Sequence, residues 1–259
     1  SSVTTIGDYA FLNNVLNSIA IPNSVTQIGE YSFGNNLLTS ISIGTGITSI
    51  PSEAFNSNLI TSVTIPSNVT SIGQRTFANN SITTITIPLS VNSIACEAFN
   101  NNLLPDATAF IYERNPDGSE NNTTIVSYGG AKKVGVVIPG NITTISNQAF
   151  MSTNLQSITI PATVTDMGVN AFRYNPLSSV TLSEGLVAVG YNAFSDGALP
   201  TITFPASLRR IEHYAFNNCK LTSVNITSGI TYIGVEAFAG NLLTSITIAN
   251  TVTQIDRAA

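Results

Sequence analysis

The stretch Leu38-Thr39-Ser40-Ile41-Ser42-Ile43 opens a unit that runs to Asn58. Apolar and small polar residues alternate in it with a period of two, and β-branched residues dominate, so we predict a short strand over residues 40–43. Successive side chains of a strand point to opposite faces. We therefore expect Ile41 and Ile43 to point inward, and Ser40 and Ser42 to point outward.

The unit recurs along the chain with a spacing of 22 residues, which is most visible in its phenylalanines at 11, 33, 55, 77 and 99 and again at 150, 172, 194, 216 and 238. It reads L-T-S-I-T-I-P-x-x-V-T-x-I-G-x-x-A-F-x-x-N. About six apolar side chains per unit contribute roughly 2 kcal/mol each on burial, whereas ordering each residue costs roughly 1 to 2 kcal/mol. One unit cannot fold alone, so the repeat predicts stacked coils.

A second β-like segment, Val25-Thr26-Gln27-Ile28, ends at Gly29, and glycine recurs at this position at 7, 73, 168, 190 and 234. We interpret it as a tight corner that has no room for a Cβ atom.

The repeated unit resembles the BspA-type leucine-rich repeat, also called the treponemal subclass, and the resemblance covers essentially the whole chain. It implies a mainly β, right-handed leucine-rich-repeat solenoid, which we expect to have about ten 22-residue coils and a parallel β-sheet on one face. The family usually has Cys where this chain has Asn, as at Asn36 and Asn58, and Cys219 alone keeps the family residue. A buried Asn must have its amide satisfied, and we expect backbone groups of adjacent coils to do so.

The repeat stops over residues 105–133, which gives one predicted domain over 1–259 made of a first block (1–104), an insertion (105–133) and a second block (134–259). Asn115-Pro116-Asp117-Gly118 is a strong turn signal. It separates two alternating segments, residues 109–114 and 123–128, so we predict a β-hairpin that projects from the solenoid. Its candidate binding residues are Phe110, Tyr112, Arg114 and Tyr128. A plain junction between two repeat blocks is the alternative.

Hydroxyl side chains occupy the outward strand positions of most coils, and they form a second candidate binding surface: Ser40, Ser42, Thr64, Thr84, Thr86, Ser157, Thr159, Thr181 and Thr203. One interpretation is that Ser and Thr simply suit a solvated strand. The other is a binding face, which would act weakly unless many contacts combine, because Trp, Tyr and Arg dominate strong interfaces.

Catalytic and cofactor chemistry has no motif in this sequence. His213 is the single histidine, so we expect a surface residue with satisfied partners, and neither a Ser-His-Asp arrangement nor a zinc-spaced cluster can be assembled. Cys96 and Cys219 are separated by several coils and should be free thiols. We predict no enzyme activity, no cofactor and no metal.

The net charge of −5 and the 9% of charged residues argue against nucleic acid or anionic membrane as partners. No apolar run is long enough to insert into a membrane. The resemblance implies a secreted or cell-surface protein of bacteria, or of some protists, with a role in adhesion. We expect an interaction module that binds a protein or glycan, with a passive spacer rod as the alternative. Self-association through uncapped solenoid ends is a further expectation.

Overall fold

The computed structural model describes residues 3–259, and it consists almost entirely of short β-strands. They form a parallel β-solenoid of about 11 turns of about 22 residues each, which confirms the predicted fold and adds one turn to the expected ten. The chain divides into two compact units. The first comprises the chain up to Asn121 together with Val126–Ala131, and the second comprises Asn122–Ile125 together with Lys132–Ala259.

The first unit contains two series of parallel strands. The series with outward hydroxyls comprises Ser18–Ala20 (β2), Ser40–Ser42 (β4), Ser62–Thr64 (β6) and Thr84–Thr86 (β8). The corner series comprises Thr5–Ile6 (β1), Gln27–Ile28 (β3), Ser49–Ile50 (β5), Ser71–Ile72 (β7) and Ser93–Ile94 (β9). A 3-10 helix at Asp106–Thr108 and the strands Phe110–Arg114 (β10) and Glu120–Tyr128 (β11) follow. Equivalent residues of neighbouring coils pair directly, as Ser62 does with Thr84.

Phenylalanine rings stack along the interior of the first unit. The ring centroids of Phe33 and Phe55 lie 5.5 Å apart with an interplanar angle of 5°, and the pair Phe55 and Phe77 repeats this geometry at 5.5 Å and 4°. All three side chains are fully buried. Stacked aromatic pairs contribute about 0.5 to 1.5 kcal/mol beyond their burial, so the column ties successive coils together.

Buried asparagines form a second interior column, which confirms the expectation that backbone groups satisfy their amides. The Asn58 Nδ2 atom donates to the carbonyl oxygens of Phe33 at 3.0 Å, Phe55 at 3.2 Å and Asn56 at 3.2 Å. Its Oδ1 atom accepts from the Leu38 backbone N–H at 3.1 Å. One side chain thus bonds to its own turn and to the preceding coil.

Close approach requires the corner glycines at 29, 73, 168, 190 and 234, which fits the predicted tight corner, whereas a Cβ atom at Gly7 would meet nothing within 4 Å. A Cβ atom at Gly29 would collide with the backbone of Asp8, and one at Gly73 would collide with Ser52. The left-handed backbone occurs two residues later, on residues other than glycine. Tyr31 there has a φ of 53°. Sequence analysis did not predict this conformation.

The second unit repeats the same plan. Its hydroxyl series comprises Val136–Val137 (β12), Ser157–Ile160 (β14), Ser179–Leu182 (β16), Ser223–Ile226 (β19) and Ser245–Ile248 (β21). Its corner series comprises Thr144–Ile145 (β13), Asp166–Met167 (β15), Ala188–Val189 (β17), Arg210–Ile211 (β18), Tyr232–Ile233 (β20) and Gln254–Ile255 (β22). Residues Thr124 and Ile125 of β11 belong to this unit and pair with Thr144 and Ile145. A column of stacked phenylalanines runs from Phe150 to Phe238.

One coil of the second unit departs from the pattern. Residues 201–204 are not in a strand, although the repeat predicts one there. Phe204 fills the inward position that isoleucine or leucine occupies elsewhere, and its ring packs edge-on against Phe216 at 5.7 Å.

The predicted hairpin is present, but the expectation that it projects from the solenoid is wrong. Its turn packs so closely on the first unit that a Cβ atom at Gly118 would collide with the Leu89 carbonyl. Ile111 and Val126 are 6% exposed and belong to the hydrophobic core of that unit. The returning strand also accepts inter-coil hydrogen bonds, since the Glu97 N–H donates to the Val126 carbonyl at 3.3 Å. The insertion therefore takes the place of a coil.

The asparagine column gives a stability prediction. Asn58→Ala removes four buried hydrogen bonds, and each polar group left unpaired costs about 1 to 3 kcal/mol. We expect the free energy of unfolding to fall by about 3 kcal/mol in urea titrations followed by circular dichroism. Asn14→Ala is the matched control, because Asn14 holds the same repeat position but is exposed, and within residues 3–259 its side chain bonds only to the Leu12 carbonyl. Equal losses in the two variants would contradict this role of the column.

Candidate interaction surfaces

The hydroxyl face of the first unit is placed as the sequence predicts. Ser40, Ser42, Thr64, Thr84 and Thr86 are exposed on β4, β6 and β8. The register aligns Thr64 with Thr86 in adjacent strands, so equivalent hydroxyls repeat at the strand spacing of about 4.8 Å. The face offers short-range hydrogen bonds and no formal charge.

The hydroxyl face of the second unit is less regular. Thr181 is exposed, whereas Ser157 and Thr159 are half-buried. The Ser157 Oγ atom accepts a hydrogen bond from the Gly135 N–H at 2.7 Å. Thr203 is exposed but lies in the coil that forms no strand. The candidate residues of this unit therefore do not form one continuous ladder.

The hairpin places its candidate residues differently from the sequence-based expectation. Tyr128 is 1% exposed, and its ring packs against Phe110 with centroids 5.2 Å apart. Burial raises the pKa of Tyr128. The Arg114 side chain is 6% exposed and pairs with Glu120 at 3.5 Å, and it also donates to the Gly118 carbonyl at 3.0 Å. The structure thus gives Tyr128 and Arg114 packing roles, whereas Phe110 and Tyr112 stay half-buried.

The left-handed corners carry aromatic and charged side chains that sequence analysis did not propose as a binding surface, and their exposure ranges from exposed Tyr9 to buried Glu97. In the first unit Tyr9 stacks on Tyr31 with centroids 5.2 Å apart and planes at 13°. A hydrogen bond to Glu53, together with burial, raises the pKa of Tyr31 to about 12. Arg75 lies 3.5 Å from Glu53 and 3.5 Å from Glu97. Tyr9, Tyr31, Glu53 and Arg75 line a cleft of about 360 Å³.

The equivalent corners of the second unit hold a second group of tyrosines. Tyr191 and Tyr214 lie in neighbouring coils with ring centroids 5.4 Å apart. The Arg173 guanidinium lies 4.4 Å from the ring centroid of Tyr174 and forms an ion pair with Asp196 at 2.8 Å. The signal in the sequence was weak, because Tyr191 and Tyr214 occupy variable positions of G-x-x-A-F. Arg173, Tyr174 and Asp196 occupy the variable positions of F-x-x-N.

His213 is a satisfied surface residue, as expected. Its Nδ1 atom accepts from the Val235 N–H at 2.9 Å, and its Nε2 atom lies 3.5 Å from the Tyr232 hydroxyl. Both cysteines are free, which confirms that prediction, and burial raises the pKa of the Cys219 thiol to about 12. Within residues 3–259 no cluster of His, Cys, Asp and Glu is arranged to hold a metal ion. The same residues include no helix of the length and apolarity needed to cross a membrane.

The repeated coils, their asparagine and phenylalanine columns and the solvent-exposed strand faces define a leucine-rich-repeat solenoid. The profile of the BspA type leucine rich repeat region matches residues 1–104 and 143–259 with six copies, and the chain belongs to this family. The family is typically non-enzymatic. No curated protein matches the chain significantly.

Several solved bacterial structures are similar to this chain. A leucine-rich repeat protein from Eubacterium ventriosum is 21% identical with a TM-score of 0.60, over 93% of this chain and 81% of that one. A leucine rich cell surface protein from Faecalibacterium prausnitzii is 25% identical with a TM-score of 0.59, over 96% of this chain and 83% of that one. The pneumococcal vaccine antigen PcpA is 19% identical with a TM-score of 0.57, over 96% of this chain and 68% of that one. These likenesses agree with the solenoid fold.

The burial of Tyr128 gives a prediction that separates packing from binding. Tyr128→Ala should lower the free energy of unfolding of the first unit by about 3 to 5 kcal/mol, because it empties a fully buried aromatic site. Tyr112→Ala, at a half-buried position of the same hairpin, should cost less than about 2 kcal/mol. Chemical denaturation of the two variants checks this. A stable Tyr128→Ala protein would argue that the ring is not a packing element.

Proposed function

We propose that this chain is a non-enzymatic interaction module, displayed on a bacterial cell surface or secreted, that binds a protein or glycan partner in an adhesion-like role. The observation that carries the proposal is the exposed hydroxyl face of β4, β6 and β8, which is regular, uncharged and backed by a packed core. Membership in the BspA-type family and the likeness to a protein described as a leucine rich cell surface protein support it.

The chemistry of the face suits a multivalent contact. Each hydroxyl both donates and accepts a hydrogen bond, and the strand register repeats Thr64 and Thr86 in neighbouring coils. A single such contact contributes about 1 kcal/mol. Binding therefore needs many aligned contacts, which a rigid row of strands provides without ordering flexible loops.

A spacer role is the second candidate, and the interior columns favour it. Phenylalanines stack at intervals of 5.3 to 5.5 Å from Phe11 to Phe99, and the asparagines bond each coil to its predecessor. Coils bonded in this way resist bending between neighbours. Such a module would hold another domain away from the surface and would have no partner of its own.

The hydroxyl face gives a binding prediction. The double variant Thr64→Lys/Thr86→Lys places two bulky charges on it, and we expect the affinity for the partner to fall by about tenfold or more. The partner is first found by screening the folded chain on arrays of glycans and extracellular-matrix proteins. Ser67→Lys, at an exposed turn position next to the face, is the control and should bind as the unmodified chain does. Unchanged binding by the double variant would contradict the assignment, and a chain that binds nothing on either array would favour the spacer role.

A further inference from the structure

A small cleft lies at the left-handed corners of the second unit. The rings of Tyr191 and Tyr214 form one side of it, with centroids 5.4 Å apart and planes tilted by 56°. Asn192, Ser195 and Asp196 also line the cleft, and its volume is about 260 Å³. Tyr191 is 39% exposed, so a ligand can reach the aromatic surface.

Two of the charged groups of this cleft, Arg173 and Asp196, neutralise one another, and Glu236 adds one further carboxylate to the lining. The Arg173 guanidinium contacts the Asp196 Oδ2 atom through Nε at 2.9 Å and Nη2 at 2.8 Å. Asn218 donates to Oδ1 at 3.1 Å, and the Ser195 hydroxyl donates to Oδ2 at 3.0 Å. Burial raises the pKa of Asp196, but these hydrogen bonds outweigh it and hold the pKa below its ordinary value. The carboxylate is therefore fixed and ionised, and it offsets the charge of Arg173.

Other polar groups of the cleft are not used by the fold. The hydroxyls of Tyr191 and Tyr214 and the side-chain amide of Asn192 have no hydrogen-bond partner among residues 3–259. Asn192 and Tyr214 have φ values of 53° and 59°. The same conformation recurs at the equivalent corner of the other coils, for example at Tyr31 and Glu236, so it sets the direction of these side chains as part of the repeat.

We propose that the cleft of Tyr191, Tyr214, Asn192 and Asp196 binds a ring of a neutral glycan, a proposal that rests on the interaction function above and specifies its ligand. The C–H face of a sugar ring packs on an aromatic side chain, and its hydroxyls pair with the unused hydroxyls, the amide and the fixed carboxylate. An apolar protein side chain would leave those polar groups unpaired, at a cost of about 1 to 3 kcal/mol each.

Charge and size also select the ligand. An anionic sugar would face Asp196 and Glu236, and Arg173, the cation among the lining residues, is already paired with Asp196. A cleft of about 260 Å³ lies below the range of about 300 to 1,000 Å³ that is usual for ligand pockets. It can hold one ring of a longer neutral chain, with the remaining rings outside on the surface.

The test uses the full chain and mixtures of neutral oligosaccharides derived from β-glucan, mannan and galactan. Saturation-transfer NMR should identify a binder, and titration followed by tyrosine fluorescence should give its affinity, since the chain has no Trp. We expect Tyr191→Ala and Tyr214→Ala each to weaken binding by about tenfold or more. The double variant Tyr191→Phe/Tyr214→Phe keeps both rings, loses both hydroxyls and should weaken binding by a few-fold.

Val169→Ala is the matched control. Val169 occupies the same corner position as Tyr191, is 41% exposed and lies in the second unit, but it does not line the cleft. The control variant should retain full affinity, and circular dichroism melts should show that every variant is folded. An affinity lost equally in Val169→Ala and Tyr191→Ala would overturn the assignment.

Two further outcomes separate this proposal from the broader one. Glycan binding that is lost in Thr159→Lys/Thr181→Lys but kept in the tyrosine variants would overturn the cleft and leave the interaction function standing. Absence of binding to every neutral oligosaccharide at millimolar concentration would overturn the cleft, and a protein partner found on the arrays would still support the broader function.

Discussion

The parallel register, in which equivalent residues of neighbouring coils pair across a spacing of 22 residues, is the constraint on which the remaining structure depends. The Phe33 N–H donates to the Ala54 carbonyl at 2.9 Å, and the ring of Phe33 then lies 5.5 Å from that of Phe55. Each interior residue must therefore pack against a copy of itself. Phenylalanine does so by stacking, and asparagine does so because its amide donates and accepts at once, which explains why these two residues recur.

The same register makes the chain turn sharply at each corner, and in most coils two residues take up the turn in the left-handed region. Asparagine tolerates that conformation better than most residues, and Asn35, Asn79 and Asn101 hold the second of these positions in the first unit. Tyr9 and Arg75 hold the first position and have no such advantage. Their identities are therefore not dictated by the backbone, and this leaves the position open to selection for contacts with other molecules.

Sequence reasoning predicted the features that the period determines: the strands, the outward hydroxyls, the corner glycines and the bonded asparagines. The turn of the insertion could also be predicted, because it forms between residues close in sequence: the Gly118 N–H donates to the Asn115 carbonyl at 2.8 Å. The packing of the insertion on the first unit could not be predicted. It depends on contacts between residues distant in sequence, such as the hydrogen bond from the Glu97 N–H to the Val126 carbonyl. The corner tyrosines were missed because a positive φ on a residue with a Cβ atom leaves no compositional signal.

Interior residues and corner residues are therefore under different structural constraints. The interior phenylalanine recurs unchanged in the first unit from Phe11 to Phe99, whereas the first corner position there reads Tyr, Tyr, Glu, Arg and Glu from Tyr9 to Glu97. A solenoid can change its corner residues without disturbing the core, and related structures at 21% and 25% identity keep the fold. Fold likeness then carries little information about the partner. The partner has to be inferred from the corner and strand-face residues of this chain itself, where the chemistry differs between its two units.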